Sequence, residues 1–152
     1  MDLRSLYEEV ILDHNRNPRN CRAKPEGANC TALGHNPLCG DEVQVHLRVE
    51  DGVIKDIAFE GQGCAISTAS ASLMTEALKG KTEKEAAALF EAVHDLLTEK
   101  DAEKSKEITD RLGKLTVLGG VKDFPMRVKC ASLAWHTLAA ALERQEKPVT
   151  TE

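Results

Sequence analysis

The pattern of hydrophobic and polar positions changes period in the first half of the chain. Apolar residues recur at spacings of three and four over residues 3–12, which predicts an amphipathic helix that ends before a stretch rich in Asn and Pro. Alternation over 43–49 then indicates a β-strand with one buried face. Asp51 and Gly52 provide a two-residue turn, after which apolar residues return over 53–60. Together these features predict a β-hairpin.

Helical spacing dominates the second half of the chain, whereas one more short strand is expected ahead of the hairpin, at 30–35. The first predicted helix of this half is 65–78, with Gly80 as its stop signal, and the second is 82–97, which opens with a capping box of Thr82 and Glu85. A charged surface helix within 99–114 and a final helix at 130–144 follow. Gly119, Gly120 and Pro125 are expected to interrupt the chain between the last two helices.

Length and charge narrow the class of protein. The 152 residues fit one domain, which we place at residues 1–146, and residues 147–152 are expected to form a flexible C-terminal tail. A net charge of −5, without a cluster of Lys and Arg interleaved with aromatics, argues against nucleic-acid binding. No apolar run is long enough to span a membrane, and the acidic start lacks the pattern of a secretory signal. We therefore expect a cytoplasmic protein.

Two of the five cysteines are expected at the open end of the hairpin. Counting back along both strands from the turn places Cys39 opposite Cys64, and a bulge would shift this pairing by only one residue. Asp41 lies one pleat further along the first strand. An odd number of cysteines in a reducing compartment indicates metal ligands, reactive thiols or small core residues more than disulfides. Two sulfur atoms and a carboxylate would then lie within reach of one metal ion.

A third cysteine could complete a metal site. Cys64 and Cys130 each open a predicted helix, where the positive end of the helix dipole favours the thiolate form. Three thiolates and Asp41 would suffice for a tetrahedral zinc site, but spacing alone does not bring Cys130 to the hairpin. From spacing alone, a small buried residue is an equally good interpretation of each cysteine.

The remaining cysteines and histidines are weaker candidates. Cys21 and Cys30 have no partner at ligand spacing and are interpreted as core or surface thiols. His46 is expected on the polar face of its strand, in contact with solvent. The other histidines have no companion at ligand spacing either, and only His35, close to the first hairpin cysteine, is retained as a spare ligand.

Four motifs carry a family resemblance, and they occur in the expected order over nearly the whole chain: LYEEVILDHNRNPRN, CGDEVQVHLRV, IAFEGQGCAISTASAS and FPMRVKCASLAW. They resemble the successive signatures of the U-type iron-sulfur cluster assembly family, which includes IscU-like and NifU N-terminal-like proteins. The resemblance implies an α+β fold, with a small antiparallel β-sheet of about three strands and helices packed on one side. It also implies a metal site formed by Cys39, Asp41, Cys64 and Cys130.

Two features distinguish the branches of this family. In the IscU-type scaffold a histidine commonly precedes the last cysteine, whereas Lys129 stands there in this chain, and the segment before FPMRVKC is longer. Both features resemble the SufU type, a zinc protein that takes persulfide sulfur from a cysteine desulfurase containing pyridoxal phosphate. The resemblance thus implies a zinc-dependent sulfurtransferase. Its expected partners are a SufS-type desulfurase and downstream iron-sulfur scaffold proteins.

Cys39 is the expected sulfur acceptor, because Gly40 permits backbone motion in its turn and bound zinc would keep the thiols deprotonated until a partner docks. Lys129 would be a nearby cation for the anionic site. Two alternatives stay open. One is a scaffold on which an iron-sulfur cluster is built by the same ligands and handed on. The other is a structural zinc module that recruits partners through its surface.

Overall fold

One small β-sheet and several helices form an α+β fold. A computed structural model describes residues 3–37, 39–98, 112–144 and 149–150. The elements are, in chain order, α1 (Leu3–Arg16), β1 (Cys30–Asn36), β2 (Asp41–Glu50), β3 (Val53–Gln62), α2 (Ala65–Leu78), α3 (Glu83–Thr98), the 3₁₀-helix η1 (Gly113–Val121), α4 (Pro125–Leu142) and β4 (Val149–Thr150). The predicted fold class is confirmed. None of the described helices has both the length and the apolar character needed to cross a membrane.

The strands lie side by side in the order β3-β2-β1-β4. β2 pairs antiparallel with both β1 and β3, which gives the three antiparallel strands that were predicted. β4 is an addition, because Val149 and Thr150 pair in parallel with Gly34 and His35 of β1. Two residues of the predicted tail thus join the edge of the sheet, which was not expected.

The hairpin of β2 and β3 turns at the predicted residues. Asp51 and Gly52 have φ values of 53° and 74°, the left-handed conformation that a two-residue type I′ turn requires. A β-bulge just before Val49 shifts the pairing of the two strands by one residue. Cys39 and Cys64 therefore do not lie directly opposite each other, but both stay at the open end of the hairpin.

Helices α2 and α4 pack on the sheet and share a largely aliphatic core with it. The buried face of β2 consists of the residues predicted by alternation, Val43, Val45, Leu47 and Val49. Trp135 of α4 is fully buried, and its indole Nε1–H donates to Oγ of Ser70 on α2 at 3.2 Å. The Ser70 hydroxyl in turn donates to the backbone carbonyl of Ala131 at 2.6 Å. These buried polar groups are paired within the chain.

Local signals predict the ends of α2 and α3 correctly. α2 begins at residue 65 and stops just before Gly80, whose φ of 87° suits the glycine that follows a helix. The capping box of α3 forms in both directions. The N–H of Glu85 donates to Thr82 Oγ1 at 3.0 Å, and the N–H of Thr82 donates to Glu85 Oε1 at 3.2 Å.

Two other helix boundaries differ from the prediction. α1 continues to Arg16, and its last turn buries His14, whose Nδ1 lies 2.7 Å from Oγ of Ser72. This contact with α2 holds the chain helical where Asn and Pro suggested a break. α4 begins at Pro125 instead of residue 130, because proline is favoured in the first turn of a helix, where its missing N–H is not needed.

The segment between α3 and α4 also differs from the prediction. The charged surface helix predicted within 99–114 lies almost entirely outside the described residues. Gly119 and Gly120, which were expected to interrupt the chain, belong to η1. The ring of Tyr7 packs over Gly120, where an added Cβ would come within 2.6 Å of a ring carbon. The glycine therefore allows close contact between α1 and η1.

Candidate metal centre

The four predicted ligands meet where the hairpin opens. Cys39 lies in the turn between β1 and β2, and Asp41 is the first residue of β2. Cys64 immediately precedes α2, and Cys130 lies in the second turn of α4. Ligand atoms of Cys39, Asp41 and Cys130 all fall within 4.8 Å of one another.

Close contacts join the four side chains into one cluster. Sγ of Cys130 lies 3.5 Å from Sγ of Cys39. Sγ of Cys64 lies 3.6 Å from Oδ2 of Asp41. The thiol of Cys130 also interacts with both Asp41 and Cys64. Cys64 therefore lies beside Asp41, although it is not among the three residues whose ligand atoms all fall within 4.8 Å of one another.

Asp41 is the buried anion of this cluster. The residue has 0% exposure, and its Oδ1 accepts the N–H of Cys64 at 2.8 Å. Gly63 permits this close approach, because a Cβ at that position would lie 2.5 Å from Oδ1. Within the described residues, the carboxylate makes no salt bridge with Lys, Arg or His. A buried carboxylate without a cationic partner is unfavourable, so this donor set is suited to a bound cation.

Cys64 is the N-cap of α2, in agreement with its predicted position at the start of a helix. Its Sγ accepts the N–H of Ser67 at 3.4 Å. The sulfur thus lies at the N-terminal end of α2 and pairs one of the backbone N–H groups that the helix leaves open.

Cys130 differs from the prediction because α4 starts earlier than expected. It lies beyond the first turn of the helix, where the effect of the dipole has fallen off. The residue is only 4% exposed, and burial raises the pKa of its thiol strongly, with hydrogen bonds to Asp41 and Cys39 adding to the shift. A metal ion, not a helix terminus, would have to stabilise this thiolate.

Cys39 is the exposed member of the cluster, whereas Asp41 and Cys130 are buried. Its N–H donates to the carbonyl of Asn36 at 3.2 Å, which closes the turn. Gly40 follows with a φ of 71°, and an added Cβ there would meet no atom within 4 Å. The turn therefore presents the thiol at the surface with open space beside it.

Two further residues that no spacing had indicated are Tyr7, which interacts with Cys64, and Arg127, which interacts with Tyr7. Burial raises the pKa of the Tyr7 phenol, with Arg127 opposing this shift and Cys64 adding to it. The guanidinium of Arg127 lies 4.9 Å from the ring centre of Phe124. Both residues belong to the motifs LYEEV and FPMRVK, which were the only signal that could have identified them. Lys129 is half-buried in the same motif, and its role as a supporting cation stays a prediction.

The weaker candidate ligands lie elsewhere. Cys30 is buried in the core and Cys21 is exposed near β3, so both match their interpretation as core or surface thiols. His35 is half-buried in β1. In the part of the chain that the structure describes, none of these three shares the cluster of ligand atoms at the open end of the hairpin.

The expectation that His46 contacts solvent is wrong. The residue is buried, and its Nε2 lies 2.7 Å from Oε2 of Glu60 on β3. Its Nδ1 lies 3.1 Å from Oγ1 of Thr31 on β1. Side chains from both neighbouring strands therefore cover the imidazole, which alternation along β2 alone could not reveal.

Comparisons with known proteins agree with the motifs. Residues 6–146 match the family described as the NifU-like N terminal domain. The chain is 40% identical to the iron-sulfur cluster assembly scaffold protein IscU of Thermotoga maritima over 148 residues, which cover 97% of this chain and 100% of that protein. It is 37% identical to the zinc-dependent sulfurtransferase SufU of Bacillus subtilis over 145 residues, which cover 95% of each chain.

A solved structure shows the same fold. It is a SufU from Fervidobacterium islandicum, described as an iron-sulfur cluster assembly scaffold protein for the SUF system. The two chains are 36% identical and superpose with a TM-score of 0.79, over 91% of this chain and 97% of the other. On the family match, the sequence identities and the shared fold, the chain belongs to the NifU-like N-terminal domain family of iron-sulfur cluster assembly proteins.

Proposed function

We propose that the chain performs zinc-dependent sulfur transfer in iron-sulfur cluster biogenesis, and that it accepts persulfide sulfur from a cysteine desulfurase containing pyridoxal phosphate. One observation carries the proposal, namely that Cys39 presents an exposed thiol at the edge of an otherwise largely buried donor cluster. A closed structural metal site needs no exposed sulfur. The relative from Bacillus subtilis that is named a zinc-dependent sulfurtransferase supports the same assignment.

The donor set fits zinc. Cys39, Asp41, Cys64 and Cys130 would hold the ion, and thiolate and carboxylate are ligands that zinc takes in four-coordinate sites. The carboxylate of Asp41 has no salt bridge in the described chain, and burial disfavours the thiolate of Cys130, so both groups would gain from a divalent cation. Bound zinc would supply a redox-inert positive charge that keeps the sulfur atoms deprotonated.

Transfer requires one nucleophilic sulfur, which we assign to Cys39. Its thiolate attacks the terminal sulfur of the partner's persulfide. A new sulfur–sulfur bond forms at Cys39 while the sulfur–sulfur bond of the partner breaks, and the partner's cysteine leaves as a thiolate. Cys39 then carries the persulfide, and the step needs no external oxidant or reductant. Gly40 lets the turn move so that Cys39 can reach the partner.

The other residues have supporting roles in this proposal. Asp41 is a hard oxygen ligand among soft sulfurs, so its bond to zinc would be the weakest and would tune how readily the site opens. Cys64 and Cys130 would anchor the ion from two different helices. Lys129 would place a positive charge beside the anionic cluster.

A scaffold function is the second candidate. The relatives from Thermotoga maritima and Streptococcus pyogenes are named iron-sulfur cluster assembly scaffold proteins. The same thiolates could bind a cluster with iron in place of zinc. Lys129 at the position of the usual histidine and the longer segment before FPMRVKC favour sulfur transfer instead. A structural zinc adaptor is the third candidate, and the exposure of Cys39 counts against it.

The experiment combines the protein with a cognate cysteine desulfurase, cysteine and a reductant. We expect the wild type to accelerate desulfurase turnover in this mixture and, when the reductant is left out, to gain one sulfur atom by intact mass spectrometry. Cys39→Ala should abolish both effects. Cys21→Ala, which removes an exposed cysteine outside the cluster, should preserve them. Full stimulation by folded Cys39→Ala would refute Cys39 as the acceptor, and cluster assembly with iron in the absence of stimulation would establish the scaffold function.

A further inference from the structure

Two histidines outside the cysteine cluster come together between α3 and α4. The ring centroids of His94 and His136 lie 6.4 Å apart, with the ring planes at 74°. Phe90, one turn before His94 on α3, contacts both rings, with centroid distances of 6.4 Å to His94 and 5.3 Å to His136. No spacing in the sequence connects the two histidines, so helix packing alone makes them neighbours.

Both imidazoles are available to a ligand. His94 is exposed and His136 is half-buried. Within the described residues, no protein group forms a hydrogen bond with the ring nitrogens of either histidine. The buried His46 is different, because hydrogen-bonding groups lie against both of its ring nitrogens. The nitrogens of His94 and His136 are therefore free to bind water or a metal ion.

One shared ion would require the two rings to move slightly closer together. With a zinc–nitrogen bond of about 2.1 Å, two imidazoles on one tetrahedral ion have ring centres roughly 5 Å apart. The observed 6.4 Å is longer than this, and a change of rotamer at the exposed His94 would close the difference of about 1 Å. Phe90 contacts both rings, so the ion would bind on the side that Phe90 leaves open.

The surroundings favour the neutral imidazole that a metal requires. Burial lowers the pKa of His136, and the proximity of His94 lowers it further. Glu91 precedes His94 by three residues and is therefore its neighbour on the surface of α3. Its carboxylate adds negative charge to the face of α3 that carries His94.

We propose that His94 and His136 form a second metal site, for a borderline divalent ion such as Zn²⁺, Ni²⁺ or Cu²⁺. Imidazole is a ligand suited to these ions, and water would complete the coordination, as expected of an exchangeable site. Cys130 precedes His136 by six residues on α4, which separates their side chains by about 120° round the helix and about 9 Å along it. The site is therefore distinct from the cysteine cluster and independent of the proposed sulfur transfer.

The test uses the full chain, first loaded with one equivalent of zinc and then titrated with a second. Calorimetry measures the second binding event. Nuclear magnetic resonance of the imidazole Hε1 protons identifies the residues involved, whichever site fills first. We expect the resonances of His94 and His136 to shift while that of His35 does not. His94→Gln and His136→Gln should each weaken this binding at least about tenfold, since loss of even an outer partner of a ligand costs that much. His35→Gln, a half-buried histidine outside the pair, is the matched control and should bind like the wild type.

Three results would overturn the proposal. One is a wild type whose His94 and His136 resonances do not respond to two equivalents of zinc. Another is unchanged affinity in either His94→Gln or His136→Gln. The third is equal weakening in His35→Gln. Circular dichroism checks the fold of each variant, and if His136→Gln unfolds, His94→Gln at an exposed position decides the matter together with the wild-type resonances.

Discussion

Two regions that involve α2 and α4 differ in how their buried polar groups are paired: the core around Ser70 and the cysteine cluster at the open end of the hairpin. In the core, the Ser70 hydroxyl accepts from the indole of Trp135 and donates to a backbone carbonyl, so each group finds its partner in the chain. At the open end of the hairpin, Asp41 and Cys130 are buried as deeply, yet the described chain offers the carboxylate no salt bridge. The first region is complete by itself, whereas the second needs a positive charge from outside. A buried carboxylate without a cationic partner thus distinguishes the functional end from the core.

Substitution of the proposed metal ligands should have the largest effect, and this effect should be on metal content. We expect Cys64→Ser and Cys130→Ser each to retain much less metal than the wild type, because a hydroxyl does not replace a thiolate ligand. Cys30→Ser and Cys21→Ser, which alter cysteines outside the cluster, should retain about one equivalent. Elemental analysis of protein purified without added metal measures the difference, and one zinc with no iron in the wild type would favour transfer over scaffold. Zinc lost from Cys30→Ser but kept by Cys130→Ser would mean that the ligand set is wrong.

Chelation of the metal should lower the melting temperature. Metal at 100 times its dissociation constant stabilises the folded state by about 2.7 kcal/mol. For a domain of this length, about 2–4 °C per kcal/mol then corresponds to a decrease of about 5–11 °C in calorimetry or circular dichroism. Readdition of zinc should restore the original value. An identical melting curve after verified metal removal would contradict a stabilising site.

The next prediction concerns the core region around Ser70, in which the polar groups are paired with one another. Ser70→Ala leaves the Trp135 indole N–H without its partner and removes the additional hydrogen bond to the Ala131 carbonyl, which should cost about 1–3 kcal/mol of unfolding free energy and lower the melting temperature by about 2–12 °C. Zinc content should not change. The control is Thr98→Ala, whose hydroxyl donates to a carbonyl of its own exposed helix end, and which should stay within about 0.5 kcal/mol of the wild type. Loss of zinc in Ser70→Ala would show that the two regions are coupled.

His14 is a buried core residue whose hydrogen-bonding groups are not all paired, and it should make stability depend on pH. His14 is fully buried, and its Nε2 has no hydrogen-bond partner within the described residues. Burial lowers its pKa below the ordinary 6.5. Arg19 and Lys114 lower the pKa further, whereas Glu76 and Asp13 oppose the shift. The folded protein therefore keeps His14 neutral at a pH where the unfolded chain would already bind a proton.

Stability should consequently fall as the pH drops below about 6.5, because the unfolded state takes up this proton first. The loss is limited to about 1.4 kcal/mol per pH unit for one proton. Urea unfolding of metal-free protein between pH 7.5 and 5.5 measures it, and His14→Gln should show a smaller decline than the wild type. His35→Gln is the control at a histidine that contacts neither His14 nor His136. Burial also lowers the pKa of His136, which all three proteins contain, so part of the decline should remain in each of them. Only an equal decline in His14→Gln and the wild type would contradict the assignment.

Residue spacing predicted only part of the candidate site. Cys39, Asp41 and Cys64 could be placed together because a tight turn and two alternating strands determine which residues meet at the open end. The bulge shifted this pairing by one residue and left the cluster intact. Cys130 could not be placed by counting, and only the family resemblance assigned it to the site. Its supposed position at a helix start was wrong, because Pro125 begins the helix a full turn earlier.

Local sequence signals were enough to predict the hairpin turn at Asp51 and Gly52, the start of α2 and the capping box of α3, because turn chemistry, alternation and caps act over a few neighbouring residues. Packing between distant elements was needed to show that His46 is covered, that His94 lies beside His136, that β4 joins the sheet and that Cys130 reaches the hairpin. Periodicity tells which face of an element is buried, but not which distant element packs against it. That choice depends on the shapes and contacts of side chains far apart in the chain, which no local pattern encodes.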